Sequence, residues 1–161
     1  MSKSTNFLTI GALVAFAAVN TASAQVTQTV TFQVSAINQI SVTGAPSLTI
    51  NAAVAGSAPT SVTSAANSWS VTTNQITAWI TASIPLAMPA GLTLSANLTA
   101  PAGATSGGSM ALGTVAVNVV TGITKLNSAA LGLTYTLDAT AAAGVVSSAT
   151  RVVTYTITGG V

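Results

Sequence analysis

The 161-residue chain has no cysteine, no histidine and no glutamate, and its charged side chains are Lys3, Lys125, Arg151 and Asp138 alone. Each absence removes a class of chemistry. Without cysteine and histidine there is no ligand set for zinc or another transition metal. General acid–base catalysis needs a positioned His, carboxylate, Lys or Tyr. Paired-carboxylate glycoside hydrolysis needs two acids, and Asp138 stands alone. A serine nucleophile has no imidazole to activate it, and the residue three before Lys125 is Gly122 rather than a serine. The glycine-rich run at 103–108 (GATSGG) lacks the lysine of a phosphate loop. No cofactor and no metal are expected, and the chain reads as a non-enzyme. The formal net charge of +2 is a small surplus of cations and not a basic surface. A phosphate-binding groove needs several Lys or Arg to displace counterions, so nucleic acid is excluded as a partner.

At the N-terminus, Lys3 lies in a short polar start, residues 7–19 (FLTIGALVAFAAV) are apolar, and Ala22-Ser23-Ala24 follows. A positive start, an apolar stretch and an A-x-A site stand in the order of an export signal. The apolar stretch is shorter than the roughly 20 residues of a membrane span. Residues 1–24 are therefore expected to be removed. Residues 25–161 are expected to be secreted, free in the medium or on a cell-surface appendage, and not integral to a membrane. That is the length of one domain. Small secreted domains often rely on disulfides. A chain without cysteine must hold itself by packing, by hydrogen bonds or by its neighbours in an assembly.

What the sequence has in quantity is period-2 alternation. Apolar residues alternate with threonine, serine and asparagine at Leu48/Ile50, Trp69/Val71 and Ile76/Ala78/Ile80/Ala82/Ile84. They do so again at Leu92/Leu94/Ala96/Leu98, Val115/Val117/Val119, Leu131/Leu133/Tyr135/Leu137 and Arg151/Val153/Tyr155/Ile157. Glycine- and proline-containing turns separate these runs. Threonine, favoured in strands, occurs 24 times from Gln25 onward. The pattern predicts an all-β chain, a single antiparallel β-sandwich or jelly-roll-like domain of eight or nine strands over residues 37–161. Residues 26–42 carry the longest alternation, read as two strands in tandem with a bend or bulge near Ile37-Asn38.

The scarcity of charge bears on function. Near-zero net charge promotes association, and exposed strand edges usually carry lysine or other charges to prevent pairing. This chain has almost none to place, so association is the expected state. Signal removal would free residues 25–36 as an N-terminal strand with Val26, Gln28, Val30, Phe32 and Val34 in one row. Such a strand is suited either to pair within its own subunit or to be donated to a neighbour by β-strand addition. Head-to-tail donation grows filaments when the rotation does not close.

An export signal, an alternating strand directly behind it (QVTQTVTFQVSAINQISVTG) and a cysteine-free Thr/Ala-rich β-domain together resemble the subunits of donor-strand-linked extracellular fibres. Bundling pili and the camelysin/TasA type of biofilm-matrix fibre are examples. The resemblance implies a homopolymer that builds a surface appendage or matrix.

A second reading is a secreted module that binds surface glycans or host or neighbouring cells. Trp69, in phase with Val71, reads as core. Trp79 lies opposite the Ile76/Ile80/Ile84 row and is the surface or interface aromatic. Asn97, in the one N-x-[ST] sequon of the chain (Asn97-Leu98-Thr99), is out of phase with Leu94, Ala96 and Leu98 and should face outward as a candidate glycosylation site. The strand phases put Asp138 and Arg151 on different faces, and Lys125 is expected in a solvated loop.

Overall fold

Alternating Val, Ile, Leu and Thr suit a pleated surface with one face buried, and they build two antiparallel sheets. The computed structural model describes residues 23–160. The apolar stretch and most of the cleavage signal lie outside the described residues. The chain divides into two units, Met1–Gln33 and Val34–Val161. Within the first, residues 23–33 form neither strand nor helix.

The second unit carries ten strands: β1 (Asn38–Thr43), β2 (Val62–Thr63), β3 (Asn67–Thr73), β4 (Ile76–Ser83), β5 (Leu92–Leu98), β6 (Thr105–Ser106), β7 (Met110–Ala111), β8 (Val117–Ile123), β9 (Leu126–Ala139) and β10 (Thr154–Gly160). One sheet has the order β1-β3-β9-β5-β7, with β2 also paired to β9. The other has the order β10-β4-β8-β6. Two of the links by which the chain crosses between sheets are only two residues long, Asn74-Gln75 from β3 to β4 and Thr124-Lys125 from β8 to β9. The links meet, because the Lys125 amide donates to the Gln75 carbonyl at 2.9 Å.

The inward rows form one core. Trp69 and Val71 of β3, Ala78, Ile80 and Ala82 of β4, and Leu94, Ala96 and Leu98 of β5 are buried there. Ile84, Val119, Val120, Ile123, Leu133 and Tyr135 join them. Each fully buried Val, Leu or Ile contributes about 1.5–3 kcal/mol, so packing takes the place of disulfides. Trp69 is core, as its phase with Val71 predicts.

The all-β sandwich expected from the sequence is the fold found, with ten strands rather than eight or nine; three of the ten are two residues long. Other differences concern where strands stop. Of the long N-terminal alternation only the part from Asn38 onward is a strand; residues 23–37 are not. Leu48 and Ile50 lie in no strand, and the last strand starts at Thr154, after Arg151 and Val153. Val115 precedes β8 and is 77% exposed. In these places the side chains alternate but the backbone has no partner strand, and a strand needs both.

Candidate functional site

Residues 25–36 present their apolar row to solvent. Val26 is 92% exposed, Val30 72%, Phe32 89% and Val34 78%, and Gln28 is exposed with them. A Phe or Val side chain left in water forgoes roughly 1.5–3 kcal/mol of burial, and four such side chains fall within nine residues. Where this segment meets the sandwich it is fixed by Asn74. The Asn74 side-chain carbonyl accepts from the Ile37 amide at 2.8 Å, and its amide nitrogen donates to the Ser35 carbonyl at 2.7 Å. The Asn74 backbone amide donates to the Ile37 carbonyl at 3.2 Å. Gln75 supports the clamp by donating to the Asn74 side-chain carbonyl at 2.9 Å. In sequence Asn74 reads only as a turn residue. Its partners lie 37 and 39 residues away, and no local pattern signals them.

Trp79 is half-buried on the outer face of the second sheet, on the opposite side of β4 from the fully buried Ala78, Ile80 and Ala82. It pairs across to Thr158 of β10, and the next pair on the same face is Thr81 with Thr156. The indole therefore sits on an uncharged threonine face. Asn97 of β5 is exposed. It is set opposite Thr134 of β9.

A cleft of about 1060 Å³ lies at one end of the sandwich, bordered by residues 44–53 and by a second run that includes 146–151. Leu48, Leu92, Leu94, Tyr135, Val153 and Tyr155 line it. Tyr155 of β10 donates its hydroxyl to the Tyr135 hydroxyl of β9 at 2.9 Å, tying the two sheets together. Burial holds both phenols above the ordinary tyrosine range. The hydrogen bond raises Tyr155 further and lowers Tyr135, as expected for donor and acceptor. At neutral pH both are uncharged and serve as hydrogen-bonding groups in an apolar wall.

The few charges are dispersed. Arg151 donates from Nε and Nη2 to the Ala87 carbonyl at 3.2 and 3.0 Å and from Nη1 to the Thr150 carbonyl at 2.8 Å. Asp138 accepts from the Ser61 hydroxyl. Lys125 is exposed at the β8–β9 link. The structure thus brings together no charged constellation from these residues. What it does present is an exposed apolar segment, a clamp beside it, a half-buried tryptophan on a threonine face and a cleft whose lining includes several large apolar side chains. Comparison with protein-family models, with curated proteins and with solved structures returns no match.

Proposed function

We propose that the chain is an exported, non-enzymatic structural subunit of an extracellular filament, a pilus or biofilm-matrix fibre. Its subunits join by addition of residues 25–36 of one copy to a sheet of the next. The four exposed apolar side chains Val26, Val30, Phe32 and Val34, on a segment with no strand of its own, carry the proposal. Alternation without a partner is the form of a strand waiting for one, and strand addition supplies main-chain hydrogen bonds and pockets for alternate side chains together. The near absence of charge fits the same reading. Little repulsion opposes self-association, and the edges lack the lysines that guard monomeric sheets. Asn74 ties Ser35 and Ile37, at the end of the segment, to the link between β3 and β4.

The test compares a chain beginning at Gln25 with one beginning at Asn38, which keeps all ten strands. Negative-stain microscopy is expected to show fibres from the first and monomers from the second. Monomers from both would refute strand donation.

Trp79 supports a second reading, a binding module for neutral surface glycans. A half-buried indole framed by Thr81, Thr156 and Thr158 offers a stacking surface with hydroxyls around it. Retention of monomers on an uncharged polysaccharide matrix, lost in Trp79→Ala, would favour this reading over the filament.

A further inference from the structure

Two stretches of backbone in the sandwich have no main-chain partner. Among the described residues, neither 44–51 nor 145–153 makes a backbone–backbone hydrogen bond, although the strands they extend are paired on one side, β1 throughout and β10 except at Gly159. The runs leave from neighbouring edges, because β1 and β10 lie beside each other at the same border of the sandwich. Both then line the 1060 Å³ cleft. Backbone amides and carbonyls are obligatory hydrogen-bonding groups. Two unpaired runs bordering one cleft therefore offer hydrogen bonds to a chain laid between them.

The size of the cleft agrees with one strand. Eight extended residues at about 3.3 Å each, about 4.8 Å wide and about 10 Å deep, occupy on the order of 1300 Å³. The lining of the cleft mixes polar and apolar groups, with Leu48 and the buried Leu94 and Tyr135 among the apolar part. Its one charged neighbour, Arg151, is already engaged by the Ala87 carbonyl. An extended, uncharged occupant that is apolar on one side fits this lining. Residues 25–36 have these properties: they carry no charge, and Val30, Phe32 and Val34 alternate with Thr31, Gln33 and Ser35.

We infer that this cleft, between residues 44–51 and 145–153, is the acceptor for residues 25–36 of a second copy of the chain. The inserted strand pairs with one or both runs and turns its apolar row onto Leu94 and the tyrosine pair. The inference rests on strand donation as the mode of assembly and adds the place where the strand is received.

The absence of cysteine makes the site directly testable. The full chain, exported so that it begins at Gln25, carries Val30→Cys together with one second substitution. Ile50→Cys and Ala149→Cys lie on the two flanks of the cleft, and Thr156→Cys on the outer face of the second sheet is the control. Cysteines bridge only when their Cα atoms come within about 7 Å. Mild oxidation of assembled fibres is expected to give a ladder of covalent multimers from a flank pair, at least about tenfold stronger than from the control. Fibres that form but cross-link no better at either flank than at Thr156 would overturn the cleft and leave strand donation standing. A chain that forms no fibres at all overturns both.

Discussion

Two buried aromatic features decide how individual residues contribute. Trp69 is 1% exposed, and its indole Nε1 has no hydrogen-bond partner. A buried donor without a partner costs about 1–3 kcal/mol, so the ring stabilises by volume and contact while its nitrogen works against it. Trp69→Phe is expected to change stability by less than about 1.5 kcal/mol, because some volume and one unsatisfied donor are lost together. Trp69→Ala should cost about 3–5 kcal/mol through the cavity it leaves. Urea unfolding followed by circular dichroism separates the two; equal losses would show that the indole nitrogen is satisfied after all. The tyrosine pair makes a pH prediction. Unfolded tyrosines ionise near pH 10, and burial raises both Tyr135 and Tyr155 above that. Above pH 10 the folded chain keeps protons that the unfolded chain releases. The stabilisation is thus fully present below pH 10 and is lost as pH rises beyond it, by up to about 1.4 kcal/mol per pH unit for each tyrosine. With no histidine and no glutamate in the chain, stability should be nearly flat from about pH 5 to about pH 9. Tyr155→Phe should cost about 1 kcal/mol at neutral pH and reduce the alkaline slope by about half. Urea midpoints measured at pH 7, 9, 10 and 11 give both quantities.

Among the elements, residues 25–36 should have a role in assembly and none in the stability of the sandwich. Phe32 is 89% exposed and lies outside every strand. Phe32→Asp is therefore expected to leave the unfolding midpoint within about 0.5 kcal/mol of the parent while abolishing fibres, because a charge is costly to bury in an apolar acceptor. Sedimentation and urea unfolding of the same sample check the two halves; a large loss of stability would mean that the strand packs within its own subunit. Such elements were legible where a period-2 run also had neighbours. The rows Ala78/Ile80/Ala82/Ile84 and Leu94/Ala96/Leu98 are buried as their alternation predicts. Leu48/Ile50 and Arg151/Val153 alternate as cleanly and form no strand. Side-chain period reports a two-faced environment, whereas a strand also needs a backbone partner, and that partner is set by residues far off in sequence. The length of β9 was hidden for a related reason. Its first half pairs with β3 and its second with β5, so it outruns the apolar row that marks only Leu131 to Leu137. Ala130, at φ 55°, sits in left-handed backbone at the register shift in the β3–β9 ladder. The apolar row of residues 25–36 could be read from the sequence, but the cleft and the Asn74 clamp could not, because both are made by non-local contacts.

On the scale of the whole molecule, four charged side chains in 161 residues leave salt little to act on. If subunits joined through ion pairs, assembly would weaken as the Debye length shrinks from about 30 Å at 10 mM to about 3 Å at 1 M. The proposed joint contains no ion pair: residues 25–36 carry no charge, and the one charged side chain lining the cleft, Arg151, has its donors turned to main-chain carbonyls. Assembly followed by light scattering is therefore expected to change less than about twofold between those sodium chloride concentrations. Ammonium sulfate at equal ionic strength should accelerate it, because excluded salts strengthen apolar burial. A steep fall in sodium chloride would instead locate the contacts at Lys125 or Asp138, away from the apolar segment and the cleft. The contrast between the two salts is informative because it needs no substitution: screening acts on charges and exclusion acts on area, and a joint that buries Val26, Val30, Phe32 and Val34 has area to bury and no ion pair to screen.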